Sequence, residues 1–542
     1  MKFSDLKNKF IHFSALGILF SGIWLKLFPI GNGFYNDPFH HGEYVASLQS
    51  ILSGNVKFFT IHGAMDWVPA LFLQQFFGVS QYFLPTMLAY QCLSALAALL
   101  LYCTFGLLTS RNNQYRPVIL MSTALLAVYL VGIRDLFLLL AIWIYFLSER
   151  CFSKKWTNAL ELALGVALAV NLFWSFDRGF VGIAAIAFPC IIMIFKENRY
   201  LLSMVSFITS LLLLNWLGAL SFSNYAANLQ FLMATSSQWS YGFTKTPIIL
   251  SALVGMLNGW VIYYLLKQLN KTIRVNWKET ANLFSLVILI ILMYKIGINR
   301  ADGDHVVMAL WAPVIAFLYL HEKYTVKLPI VSNFIIIIII MLLAKISRIT
   351  VLYFCILIPA IYVIQTKFSK VRCDLASTKI AIMVLAIPII FLNTLKISER
   401  SAGGDYQWMQ KLSAAPTNQS LVNDSILWVS REILKAGSSC VFDLSNNGVI
   451  NGITSLPACT KYIYPVYATQ RYEADMLKEL QQQNPPVVVF SSTYWSFSID
   501  GKSMHDRFPE LKKYLIKTYP YKNCDLEYCI LNTSNPSLKA EK

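Results

Sequence analysis

The segment Gly132-Ile133-Arg134-Asp135 is followed by the apolar run LFLLLAIWIYFLS, residues 136–148. The next charged residues are Glu149 and Arg150, so the charges stand only at the two ends of the run. A transmembrane helix needs about 20 mostly apolar residues. Only this four-residue segment separates the run from a second apolar run, 117–132. The pattern predicts two helices that cross a membrane, with an acid and a base at the surface between them.

The same pattern recurs along the whole chain of 542 residues, of which 56% are hydrophobic and only 13% are charged. Soluble proteins carry about 25% charged residues, so the composition excludes a soluble enzyme, a disordered chain and a fibrous repeat. It also disfavours an outer-membrane barrel, whose alternating strands have a weaker hydropathy signal. The sequence predicts an α-helical polytopic membrane protein with about 13 spans: 10–30, 83–109, 117–132, 136–148, 157–174, 181–195, 201–219, 247–266, 281–297, 306–321, 328–344, 349–366 and 378–394.

Basic residues predict the orientation of these spans. With the N-terminus in the cytoplasm, the cytoplasmic connections carry about twice as many Lys and Arg as the opposite ones, as the positive-inside rule expects. The net charge of +17 is explained in this way, and no nucleic-acid partner is expected. A transmembrane domain over 1–394 then has a long first outer loop, 31–82, and the C-terminus lies outside. We expect a bacterial inner membrane.

Residues 395–542 differ in composition, because Asn, Ser, Pro and charged residues return. A helix over 472–483 and strands at 487–490 and 439–444 predict a small extracytoplasmic α/β domain. Four of the ten cysteines lie here, which favours two disulfides in an oxidising compartment. Three connectivities are open, and the local pairing Cys440–Cys459 and Cys524–Cys529 is the one we favour.

Four of the predicted outer connections contain an acid, and three of these place an Arg beside it or nearby. The first also contains the segment HGAMDW, residues 62–67. The cytoplasmic connections are rich in Lys and lack repeated Arg-Asp pairs. One interpretation is a set of structural ion pairs at helix ends, and the other is one site assembled from several connections. The residues are Asp37, His40, His41 and Glu43, then Arg134 and Asp135, then Asp177 and Arg178, then Arg300, Asp302, Asp304 and His305.

These residue types suit transfer from a lipid-phosphate donor. A carboxylate can act as general base toward a hydroxyl group. Arginine binds phosphate through two parallel hydrogen bonds and stabilises it as a leaving group. The apolar walls between spans can accept a lipid tail. Asp302 and Asp304 also leave room for a divalent cation, Mg or Mn. The loop 220–246, with Trp239, Tyr241 and Phe243, is either a lid over the donor or an interfacial aromatic belt.

The pattern resembles the GT-C glycosyltransferases, the integral-membrane class that includes protein mannosyltransferases, aminoarabinose transferases and arabinofuranosyltransferases. The resemblance covers most of the chain: a cytoplasmic N-terminus, 11–13 spans, a long first outer loop and a C-terminal outer domain. Asp37 stands where the class places an essential acid, and Glu43 is the second candidate. Arg134-Asp135 matches a pair in the second outer loop. The chain departs from the class in having no Asp-Glu or Asp-x-Asp in the first loop, which argues against oligosaccharyltransferase activity.

The resemblance implies a glycosyltransferase that moves a sugar from a polyprenyl-phosphate donor to a hydroxyl of a glycan, lipid or protein acceptor, with inversion. Asp37 or Glu43 would be catalytic. Alternatives from other classes are a lipid-linked glycan transporter or flippase, an O-antigen ligase or polymerase, and a non-catalytic scaffold. The implied phosphate-binding residues are Arg134, Arg178, Arg300 and His305, and the supporting residues are His40, His41, Asp135, Asp177, Asp302 and Asp304.

Overall fold

The computed structural model describes residues 16–17, 19–20, 38–55, 57–77, 83–109, 120, 124, 127, 130–151, 153–216, 221–235, 245–273, 275–299, 303–324, 424–491, 507–525 and 527–534. Within these ranges the chain is mainly helical, with a small three-stranded sheet near the C-terminal end. The helices of the first part are α1 Pro38–Leu52, α2 Val68–Phe77, α3 Phe83–Leu108, α4 Leu136–Arg150, α5 Lys154–Trp174, α6 Phe176–Gly182, α7 Phe188–Glu197, α8 Leu201–Trp216, α9 Phe222–Thr235, α10 Lys245–Thr272, α11 Trp277–Asn299, α12 Gly303–Met308 and α13 Trp311–Tyr324.

Six of the described helical segments are long and apolar enough to cross a membrane. A helix satisfies its own backbone hydrogen bonds, which is what permits it to stand in hydrocarbon. Five of the thirteen predicted spans lie wholly or largely outside the described residues: 10–30, 117–132, 328–344, 349–366 and 378–394. The six segments are Ala89–Leu108, Lys154–Trp174, Phe176–Glu197, Leu250–Thr272, Trp277–Asn299 and His305–Tyr324.

The segment Phe176–Glu197 contains a single π-helical turn, Ile183–Ala187, just before Pro189. Proline has no N–H, so the carbonyl of Ala185 four residues earlier loses its helical donor. The hydroxyl of Ser285, on α11, donates a hydrogen bond to that carbonyl instead. The predicted span 306–321 is likewise divided between α12 and α13, close to Pro313.

Small residues allow two helices of the bundle to approach closely. A Cβ added at Gly165 of α5 would lie 2.0 Å from the Ser206 Oγ of α8. The Ser203 hydroxyl donates to the Glu161 carbonyl at 2.8 Å, and the Ser206 hydroxyl donates to the Leu162 carbonyl at 2.9 Å. Helices pack in this way in membranes, because burial of apolar side chains drives little association there.

The C-terminal part combines short helices with an antiparallel sheet in the order β1-β3-β2. The register pairs Val489 with Ile530, and Cys524 with Cys529. Disulfides join Cys440 to Cys459 and Cys524 to Cys529, which is the local pairing favoured above. The elements are α14 Asp424–Lys435, α15 Val449–Thr454, α16 Pro465–Ala468, α17 Glu473–Gln483, β1 Val487–Ser491, α18 Pro509–Thr518, β2 Tyr521–Cys524 and β3 Tyr528–Asn532.

The strand predicted at 439–444 is not a full strand. Val441 forms one isolated bridge with Ala458, and Asp443 forms another with Val489. Asp443 then ends the extended stretch, because its carboxylate accepts hydrogen bonds from the backbone N–H groups of Ser445 and Asn447. Side chains that bond nearby backbone in this way compete with strand pairing.

The C-terminal part packs directly on α1 through two glycines. A Cβ at Gly448 would lie 2.2 Å from the carbonyl oxygen of Gly42, so neither position tolerates a side chain without displacement. The Tyr464 hydroxyl donates to the carbonyl of Phe39 at 2.6 Å and accepts from the N–H of Gly448. This contact fixes α1 against the sheet-bearing part and positions the residues that follow Gly42.

Candidate functional site

Helix α1 carries Glu43 into the interior of the protein. The helix begins at Pro38, a residue suited to a first helical position because its missing N–H is not needed there. Glu43 is completely buried, and it follows Gly42, which contacts the C-terminal part. An ionised carboxylate at such depth is costly unless charges or hydrogen bonds compensate it, so its neighbours define the chemistry.

His62 and Asp66 lie in the next segment of the first predicted outer loop and face each other. The His62 Nδ1 atom is 3.0 Å from Asp66 Oδ1, and the His62 backbone N–H donates to Asp66 Oδ2. Both residues are buried. Gly63 permits this tight turn, because its φ is 122° and a Cβ would lie 2.8 Å from the carbonyl of Phe173.

Glu43, His62 and Asp66 together form a compact group, here called the acidic site. Glu43 Oε2 lies 3.8 Å from His62 Nδ1. One possible ligand atom from each residue lies within 4.8 Å of the others, so the three could hold a metal ion. A set with an imidazole suits manganese or zinc better than magnesium, which prefers oxygen ligands.

Arg134 joins the second predicted outer connection to the acidic site. Its guanidinium contacts the Nε2 atom of His62. A guanidinium has no acceptor, so Nε2 must accept this hydrogen bond and Nδ1 must carry the proton toward Asp66. The imidazole is therefore neutral and held in one tautomer. Histidines that act as general acids or bases are often oriented in this way.

Tyr467 contributes a phenol from the C-terminal part to the same group. Burial raises its pKa far above the usual value, and the negative charges of Glu43 and Asp66 raise the pKa further. The phenol therefore stays protonated and neutral beside Glu43. A residue from the C-terminal part thus completes the surroundings of a carboxylate on α1.

A second group of charges, the ion-pair group, lies where the second and third connections meet. Arg178 donates from Nε to Asp135 at 2.6 Å and from Nη1 to Asp177 at 2.9 Å. The guanidinium of Arg178 is buried, and the indole N–H of Trp174 donates to the carbonyl of Ile133. Two acids therefore hold this arginine, which ties the two connections together.

The two groups together carry more acids than bases. Four carboxylates face two guanidiniums, and with His62 neutral the formal charge of these residues is −2. A shared proton or a bound divalent cation would reduce this charge. Binding a cation at Nδ1 of His62 would move the imidazole proton to Nε2, so Arg134 would have to withdraw. The carboxylates are Glu43, Asp66, Asp135 and Asp177, and the guanidiniums are Arg134 and Arg178.

Five of the residues predicted for the site are brought together in this way: Glu43, Arg134, Asp135, Asp177 and Arg178. Asp37, Arg300 and Asp302 lie outside the described residues. His40 and His41 lie in α1, and not in an irregular loop as their sequence context suggested. Asp304 and His305 lie in the short helix α12, and His305 is partly buried. The phosphate-binding and cation-binding roles assigned to these residues stay predictions.

His62, Asp66 and Tyr467 are not among the residues predicted for the site. The segment 62–67 was noted, and its His-x-x-x-Asp spacing was a usable signal, because both side chains return to one place across a tight turn. No local signal marked Tyr467, which reaches Glu43 only through the packing of the C-terminal part on α1.

Comparison of the chain with family models, with curated proteins and with solved structures finds no match. The fold itself defines a mainly helical chain with several helices able to cross a membrane and a small C-terminal sheet.

Proposed function

We propose that this protein is an integral-membrane glycosyltransferase of GT-C type. It moves a sugar from a polyprenyl-phosphate donor to a hydroxyl of a glycan, lipid or protein acceptor. The proposal includes about 13 spans over 1–394, an extracytoplasmic α/β domain over 395–542, and a bacterial inner membrane. One observation supports it above the others: a buried carboxylate–imidazole–carboxylate group contacts an arginine at connections predicted on the same side of the membrane.

The proposed reaction is a single displacement. The acceptor oxygen attacks the anomeric carbon, and the bond from that carbon to the phosphate oxygen breaks with its electron pair. The hydroxyl proton passes to a carboxylate, for which Asp37 and Glu43 are the candidates. Glu43 is supported by its burial and by its distance of 3.8 Å from the His62 imidazole. One displacement inverts the anomeric configuration.

Arg134 is the best-supported of the predicted phosphate-binding residues. A guanidinium offers five N–H donors, so its contact with His62 leaves room for phosphate oxygens. Arg178 is bound by two carboxylates, so we assign it the role of positioning Asp135 and Asp177. A divalent cation at the acidic site would add further charge for the leaving phosphate.

Release of polyprenyl phosphate tests the proposal. Purified full-length protein is incubated with a panel of polyprenyl-phospho-sugars and with crude glycan and lipid acceptors. We expect turnover by the wild type and a loss of about 100-fold or more in Glu43→Gln or Asp37→Asn, whichever residue is the base. Glu510→Gln, an exposed acid on α18, is the matched control and should keep full activity.

Equal turnover in wild type, Glu43→Gln and Asp37→Asn would remove both residues as general base. No turnover by the wild type with any donor and acceptor would contradict the transferase. Transbilayer movement of a lipid-linked glycan in reconstituted vesicles would then favour the flippase alternative.

A further inference from the structure

A cleft lies beside the acidic site, between the first predicted outer loop and helix α9. It encloses about 50 Å³, or about 430 Å³ with its open mouth included. An enclosed volume of roughly 10–15 Å³ is enough for one water molecule, so the enclosed part of the cleft holds a few waters. The open mouth can admit a small ring. Helix α9 occupies about half of the predicted loop 220–246, while Trp239, Tyr241 and Phe243 lie outside the described residues.

The lining of the cleft combines aromatic faces with uncharged polar groups. Phe173 and Tyr225 meet edge to face with ring centroids 5.1 Å apart, and Tyr225 lies 5.2 Å from the ring of Phe176. Trp67 forms another part of the wall. Burial raises the pKa of Tyr225 to about 12, so its phenol is neutral. No charged side chain is among the described residues that line this cleft.

Asn228 points to a ligand. Only 8% of the surface of this residue is exposed. Its Nδ2 donates to the Thr60 Oγ1 at 3.5 Å, and no described residue hydrogen-bonds its Oδ1. Leaving a buried acceptor without a donor is costly, and Asn228 lines the cleft, so a hydroxyl of a bound ligand is a suitable donor.

We propose that this cleft binds an uncharged sugar ring of a glycan acceptor. Flat aromatic walls pack against the C–H faces of a ring, and amide and hydroxyl groups match its hydroxyls. The absence of charge in the described lining argues against a phosphate group here, so the ring is that of the acceptor. This assignment rests on the proposed transferase function and narrows its acceptor to a glycan.

The position of the cleft fits this role. The segment 60–67 has Thr60, Gly63 and Trp67 on the cleft and His62 and Asp66 in the acidic site. The backbone N–H of Phe176, a cleft residue, donates to the carbonyl of His62 at 2.9 Å. The cleft and the acidic site therefore share this segment, and residues of both lie next to each other along the chain.

Saturation-transfer NMR on full-length protein in nanodiscs tests the proposal, with methyl glycosides of glucose, galactose, mannose, arabinofuranose and N-acetylglucosamine as probes. At least one should bind saturably, with a Kd on the order of 1–10 mM. Asn228→Leu should weaken binding about three- to tenfold. Gln230→Leu, the same chemical change at an exposed position of α9, should leave it unchanged.

Tyr225 provides a second pair of variants. Tyr225→Phe keeps the ring face and should retain binding, whereas Tyr225→Ala should lose it. No saturable binding by any glycoside to the wild type, or equal binding by Asn228→Leu and Gln230→Leu, would overturn the proposal.

Measuring both glycoside binding and donor turnover distinguishes failure of the cleft proposal from failure of the transferase proposal. The variant that removes the base, Glu43→Gln or Asp37→Asn, should bind glycosides like the wild type while losing donor turnover. Binding without turnover in any protein would contradict the transferase and leave a sugar-binding cleft. Turnover without glycoside binding would contradict the cleft and leave the transferase.

Discussion

At the scale of single residues, His62 is held from both sides. Asp66 accepts from Nδ1 and Arg134 donates to Nε2, so orientation and tautomer are set by residues from two different connections. Such residues in contact are strongly coupled, and replacing one alters the behaviour of the others.

Replacing Tyr467 by Phe removes the phenol beside Glu43 and keeps the ring. We expect a roughly tenfold fall in donor turnover with an unchanged unfolding midpoint, because one hydrogen-bonding group near the carboxylate is lost. Tyr521→Phe, on the exposed strand β2, is the matched control. Turnover equal to that of the wild type would show that Tyr467 has no part in the site.

Asp443 makes the stability of the protein depend on pH. Burial raises its pKa from 3.8 to about 6, although hydrogen bonds from Ser445 and Asn447 oppose the shift. Between about pH 4 and 6 the unfolded chain has released this proton and the folded protein still holds it, so stability falls as pH rises and is level above the folded pKa. The loss is about 3 kcal/mol, since two pKa units correspond to that amount.

The unfolding midpoint of the wild type and of Asp443→Asn, measured from pH 4 to 8, isolates this contribution. The difference in unfolding midpoint between the two proteins should change between about pH 4 and 6 and should stay constant at higher pH. A difference that does not vary with pH would contradict the raised pKa.

At the scale of elements, the contact of α1 with α15 decides where Glu43 lies. The approach is made by Gly42 of α1 and by Gly448, the residue just before α15, and Tyr464 bridges the two segments with two hydrogen bonds. Prolines set the other irregularities, at the π-helical turn before Pro189 and at the break before Pro313. These elements determine which connections meet.

Gly448→Ala should disturb the site from a distance. Its Cβ would lie 2.2 Å from the carbonyl of Gly42, so α1 must move, at a cost of about 1–3 kcal/mol. We expect a lower unfolding midpoint and a loss of turnover together. Gly259→Ala, where no atom lies within 4 Å, should keep the activity and gain slightly in helix stability. Equal behaviour of the two variants would contradict the close contact.

At the scale of the whole molecule, the topology predicted from the sequence can be compared with the disulfides and with the charges of the connections. Disulfides persist in oxidising compartments, and both lie in the part predicted to be extracytoplasmic. Lys278 and Arg199 both pair with Glu149, at the ends predicted to face the cytoplasm. These ion pairs place the three connections on one side of the helices, and the orientation in the membrane stays a prediction.

Cysteine labelling in intact spheroplasts tests this topology. A membrane-impermeant maleimide should label the exposed Cys524 only after reduction, because it is bonded to Cys529. Cys151 is a free thiol in a predicted cytoplasmic connection and should react only after permeabilisation. Peptide mass spectrometry identifies each site, and labelling of Cys151 in intact cells would reverse the predicted orientation.

The sequence by itself determined the long apolar helices that the structure describes, because an apolar run bounded by charges allows few alternatives in hydrocarbon. The runs 157–174 and 281–297 correspond to α5 and α11 within a few residues at each end. The amphipathic helix at 472–483 and the strand at 487–490 were likewise predictable, since local periodicity decides them. Local spacing also favoured the pairing Cys440–Cys459.

Only the tertiary structure decided which polar residues meet. Arg178, a predicted phosphate-binding residue, forms ion pairs with Asp135 and Asp177. Which acids it would pair with depends on the distances between helices, and local sequence does not give those distances. Tyr467 reaches Glu43 across more than 400 residues of chain, because Gly42 and Gly448 allow two helices to touch. Local patterns record propensity and burial, whereas a site made of separate segments exists only after they have packed.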